Sequence, residues 1–151
     1  MRTYLVIIDE TDEARTALRF ASRRAARTAG EVQILAIVPR QQFVAFGGVQ
    51  ATIEEEARTR AEALVMEMAG SIFSESGTMP AIAVMQGDAI RVVTGYLAQH
   101  PEVAALVLGA AVEGAPGPLI MWFAGAGIGT LPCPLYIVPA SLADDRLDDV
   151  S

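Results

Sequence analysis

At 151 residues, 52% hydrophobic and 19% charged, the chain has the material for one domain with a substantial core. Its formal net charge of −7 argues against nucleic acid or an anionic membrane as a partner, since phosphate backbones call for clustered positive charge. All 11 cationic residues are arginine, beside one histidine and one cysteine, which removes a Schiff-base lysine, the P-loop lysine, an internal disulfide and an ordinary zinc site.

No apolar run reaches the ~20 residues that span a bilayer. Tyr4 to Ile8 is too short for a signal-peptide core and is interrupted by Asp9-Glu10, so a cytoplasmic protein is expected.

Thr3 to Ile8 reads as a buried strand that empties into the polar turn Asp9-Glu10-Thr11-Asp12. Beyond it Ala14, Ala17, Leu18, Ala21 and Ala25 recur at helical spacing, and Gly30 stops the helix. Asp12 and Glu13 suit the start of its dipole. Arg15, Arg19, Arg23, Arg24 and Arg27 read as a solvated face in preference to a basic patch for an acidic partner. Val32 to Val38 is a second buried strand, closed by Pro39. The apolar loop over Gln41 to Gln50, with Phe43, Phe46, Gly47 and Gly48, is open to three readings: a lid, a subunit contact, or a cover folded back on the core.

Thr52-Ile53-Glu54-Glu55 has capping-box spacing and is expected to open a helix with Ala57, Ala61, Leu64, Val65, Met68 and Ile72 on one face. The same helix start accounts for the acidic run Glu54 to Glu56 without a metal. Ala81 to Met85 is a third strand, and Gly87-Asp88 turns it into a short helix with Ile90, Val93 and Leu97 inward. A helix C-terminus accounts for His100, which precedes Pro101.

Ala104 to Gly109 is a wholly apolar fourth strand running into a loop with Gly114, Gly117, Pro116 and Pro118. A strand that empties into a glycine-rich loop before a helix can bring backbone N–H groups close to an anion, which makes this the first candidate site. Pro118 is expected to start a helix through Phe123, ended by Gly125, Gly127 and Gly129. Cys133 opens a fifth strand, Pro134 to Pro139, whose prolines suit a sheet edge. Residues 1–140 form the domain, and 141–151 an acidic, frayed tail.

Strands alternating with helices throughout predict a single α/β domain, a parallel sheet with helices on both faces. Ligands then sit at the carboxyl ends of strands. If the first and fourth strands are neighbours, the loops after Asp9 and Gly109 form one crevice. Asp9 would either hold a ribose hydroxyl there or cap the first helix.

Val6-Ile7-Ile8-Asp9 before a helix, the Val38 strand end, Gly87-Asp88, Leu106-Val107-Leu108-Gly109 and the segment Pro132 to Pro139 together resemble the universal stress protein family, in order and over nearly the whole chain. The resemblance implies a Rossmann-like five-stranded parallel sheet in order 3-2-1-4-5 and a homodimer formed through the last strand, here Leu135 to Val138. It also implies a site for ATP or another adenine nucleotide between the ends of strands 1, 2 and 4. Carried onto this chain, that site takes in Ile7 and Asp9, Val38 facing adenine, and Leu108 and Gly109 at the start of the phosphate loop.

The family's G-x2-G-x9-G-[ST] pattern is broken here. Counted from Gly109, it falls on Val112 and on Trp122-Phe123; counted from Gly114, it finds Gly117 and Gly127 but then Ile128. Gly129-Thr130 comes two residues late, and Glu113 adds like charge to the loop. The Gly114/Gly117 loop then holds something smaller or simply makes the turn.

Three functions stay open. The leading one is a non-catalytic stress-response binding or regulatory module with unknown protein partners and no metal site of its own. A slow nucleotide hydrolase would have to rely on Arg40 and Arg91 as phosphate clamps. A dimeric scaffold would bind no nucleotide and would fill its crevice with Trp122 or Phe46.

Overall fold

The computed structural model describes residues 1–40 and 47–151. Five strands, β1 (Thr3–Ile8), β2 (Glu31–Val38), β3 (Ala81–Gln86), β4 (Val103–Ala110) and β5 (Leu135–Pro139), form one parallel sheet in the order β3-β2-β1-β4-β5. β1 and β4 are neighbours, so the chain reverses its winding between them, where parallel sheets hold ligands.

The alternation of side chains along each central strand divides the core in two. Tyr4, Val6 and Ile8 of β1 pack with α1 (Asp12–Arg27) and α2 (Gly47–Ser76), where Val65, Met68 and Ile72 are buried. On the other face Leu5, Leu35 and Leu106 pack with α3 (Ala89–Gln99) and with Phe123 of α4 (Pro118–Phe123). The α1 stripe of Ala14, Ala17, Leu18, Ala21 and Ala25 is buried in full. In α3 the buried residues are Val92, Val93, Tyr96 and Leu97, and Ile90 is only half-buried. His100 ends that helix, stacked on Tyr96 at 3.8 Å between ring centroids, with Nδ1 2.8 Å from the Tyr96 carbonyl oxygen.

Three expectations are corrected. First, α2 begins at Gly47, so Thr52 lies inside the helix instead of capping it, and the paired glycines are helical. Segment 41–46, with Phe43 and Phe46, lies outside the described residues, and so does the role expected of that loop. Second, the acidic tail is not frayed: it forms α5 (Asp144–Val150) and buries Leu147 completely. Third, the arginine face of α1 is not simply solvated. Asp144 pairs with Arg19 (3.3 Å) and Arg23 (3.5 Å), Asp148 pairs with Arg23 (2.7 Å), and Arg24 donates to the Ser151 carbonyl (3.2 Å). The basic patch and the acidic tail answer each other within one chain.

Candidate functional site

The site is built where β1 and β4 end side by side. After Ile8 the chain turns at Asp9, whose Oδ1 accepts hydrogen bonds from the Thr11 N–H (2.9 Å) and the Thr11 hydroxyl. The Thr11 Oγ1 in turn accepts from the Ala14 N–H at 3.3 Å, which makes Thr11 the N-cap of α1. Asp9 is therefore not the cap: it braces the cap through Oδ1. Its carboxylate is exposed, and Oδ2 has no hydrogen-bond partner among the described residues.

Beside Asp9 opens a cleft of about 310 Å³, at the low end of small-ligand pockets. Ile7, Ile37, Pro39, Leu108, Leu119 and Ile120 supply its apolar walls. Its rim carries Asp9, Thr11 and Glu13, with Gly109 and Gly117 on the β4 side.

Of the residues expected at the site, Ile7, Asp9, Leu108, Gly109 and Gly117 line this cleft, and Val38 and Gly114 do not. Val38 is buried, and its carbonyl accepts from the Gly87 N–H at 3.0 Å, tying the end of β2 to the turn after β3. Its neighbours Ile37 and Pro39 face the cleft instead. Gly114 serves the loop turn with φ at +91°, a conformation that favours glycine.

The phosphate-loop elements have other employment. A Cβ on Gly109 would run into the backbone carbonyl of Glu13, so this glycine lets the start of α1 lie directly on β4. Trp122 does not line the cleft; its indole lies over Gly127, where a Cβ would collide with Nε1. The Thr130 hydroxyl turns back to donate to the Gly127 carbonyl at 2.6 Å, inside the short 3-10 turn Ile128–Thr130. Pro116 and Pro118 carry no backbone N–H, and Pro118 stands at the first position of α4.

The charge of the cleft is also redistributed. Glu113 is exposed and off the lining, whereas Glu13, which the sequence reading placed only in the helix dipole, is on it. None of the described residues that line the cleft is a cation. Arg91 faces a groove at the β3 edge, beside Met85 and Tyr96, and Arg40 is not on the cleft lining. Cys133 is half-buried, and burial pushes its thiol pKa up, which keeps it a poor nucleophile. Among the described residues no three His, Cys, Asp or Glu side chains gather as a metal site requires, and no helix is long and apolar enough to cross a membrane.

A parallel sheet in this order, with an open cleft at its winding reversal, defines an α/β domain of the Rossmann-like class. A sequence model described as "Universal stress protein family" matches residues 1–139, and the chain belongs to that family. Among solved structures it is similar to the universal stress protein UspA from Lactobacillus plantarum, at 18% identity and a TM-score of 0.77, over 91% of this chain and 97% of that one. It is also similar to a universal stress protein in complex with cAMP (16%, 0.65, 93% and 98%). A third is a family protein from Arabidopsis thaliana with AMP bound (13%, 0.56, 96% and 95%). No curated protein sequence matches the chain significantly.

Proposed function

We propose that this universal stress protein is a cytoplasmic, non-catalytic binding module that takes an adenine-containing ligand in the cleft between β1 and β4. The observation that carries this reading is the open, apolar-walled cleft with the Asp9 carboxylate at its rim. Solved relatives described with AMP or cAMP lend support to the ligand class. A hydrolase needs a clamp on the phosphates and a group that positions water, and neither Arg40 nor Arg91 lines the cleft.

Thermal unfolding with adenosine, AMP or ATP at millimolar concentration tests the reading. A ligand at 100 times its dissociation constant adds about 2.7 kcal/mol, a rise of several degrees at this chain length. At least one of the three should raise the midpoint, and Asp9→Ala should abolish the rise. A flat response to all three refutes the assignment.

The working unit in this proposal is a homodimer formed through β5. Among the described residues this strand pairs with β4 on one side only, and Ile137 is 39% exposed on it. An unpaired strand edge is a template for a second copy. Sedimentation equilibrium should give twice the chain mass for the native protein and a monomer for Ile137→Glu. A monomer in both would remove β5 as the interface.

A further inference from the structure

We infer that the cleft selects an uncharged nucleoside over its phosphorylated forms. The inference rests on the proposed assignment of the cleft to an adenine-containing ligand, and it concerns which member of that class the site accepts. Phosphate sites on α/β sheets combine free backbone N–H groups, a helix N-terminus and a cation. Here two loop positions, Pro116 and Pro118, have no N–H to give. The close approach of Gly109 is already taken by the Glu13 backbone, and the Thr130 hydroxyl is committed to Gly127.

Backbone N–H groups remain on the lining at Ala111, Ala115 and Gly117, but no cation among the described residues accompanies them, and the charged residues there are of the wrong sign for a phosphate. Asp9 and Glu13 are its only charged groups among the described residues, and both are acidic. On the α2 side of Asp9 a second cavity of about 410 Å³ shares Ile8, Asp9, Thr11, Ile37 and Pro39 with the cleft and adds Arg60. Asp9 and Glu10 line that cavity as well, so its charged lining residues are two acids and one arginine, and acidic residues stay in the majority over the joined surface.

The same groups suit a nucleoside. Ile7, Ile37 and Leu108 offer apolar walls to a flat ring, and Asp9 Oδ2 is left to accept from a sugar hydroxyl. A carboxylate that accepts from a sugar hydroxyl repels a phosphate placed on the same sugar, and Glu13, the other charged residue on the lining, adds charge of the same sign.

Titration calorimetry at low salt with adenosine, AMP and ATP reads the selectivity directly. Adenosine should bind tightest, with AMP weaker by about tenfold and ATP weaker still, the order of magnitude of one like-charge contact between largely water-screened groups. Glu13→Gln should narrow the gap between adenosine and AMP, and so should raising the salt. AMP or ATP binding as tightly as adenosine overturns the inference while leaving the adenine-ligand assignment standing. If that phosphate preference is lost in Arg60→Gln, the second cavity is the anion site. No binding by any of the three overturns the assignment itself, and the selectivity with it.

Discussion

Gly109→Ala should lower the stability of the fold by about 3 kcal/mol, near the upper end of overpacking substitutions. For a chain of this length that is a fall of roughly 6 to 12 °C in the unfolding midpoint. The added Cβ would meet the carbonyl group and Cβ of Glu13 at the start of α1, and backbone cannot rotate away as a side chain would. Either β4 bends or α1 lifts, and each disturbs a buried layer that includes Val107 and Ala17. Gly117→Ala is the control, since a Cβ there meets nothing within 4 Å. It should leave the midpoint within about 2 °C, consistent with a surface change. Equal behaviour of the two variants would mean that α1 and β4 do not meet as described. The comparison separates two reasons for a glycine at this position: room for a phosphate, or room for a helix.

Leu147→Ala should detach α5. A fully buried leucine trimmed to alanine costs about 2 to 5 kcal/mol where the surroundings cannot relax. Here the helix is only seven residues long and can undock, so its own docking energy limits the global loss. The three ion pairs to Arg19 and Arg23 will not hold it alone: exposed pairs contribute about 1 kcal/mol or less each and are screened by salt. The expected result is a modest fall in midpoint together with loss of amide-exchange protection across residues 144–151. High salt on the native protein should do less than the substitution. Retained protection in Leu147→Ala would show that the arginine-aspartate pairs, and not Leu147, seat the helix.

The two ends of α5's attachment explain why sequence alone misread it. One leucine among Asp144, Asp145, Asp148 and Asp149 makes no periodic stripe, and its arginine partners lie more than a hundred residues earlier in the chain. Long-range charge matching leaves no local pattern. The strands were legible for the opposite reason: each is a short apolar run bounded by Asp, Pro or Gly, and that signal is local. Their order came with the resemblance to a family. α2 misled because Thr52-Ile53-Glu54-Glu55 has the spacing of a capping box although the helix already runs from Gly47.

At the cleft, Asp9 and Gly109 were legible as strand ends. Glu13 was not, because a glutamate in the first turn of a helix is ordinary, and only the packing of α1 on β4 brings it to the rim. Val38 is off the cleft lining because the pleat sends adjacent side chains to opposite faces; Ile37 stands on the cleft, while Val38 lines the adjoining cavity on the α2 side of Asp9.

The most direct test of the account is the amide NMR spectrum of the native protein titrated with adenosine. Progressive shifts are expected at Ile7 to Ala14, Ile37, Gly87 to Ala89 and Leu108 to Ile120, the segments that line the cleft, with β3 from Ala81 to Met85 and α5 unmoved. A spectrum that does not respond at millimolar adenosine, or that responds at β3 and α3 instead, would contradict it.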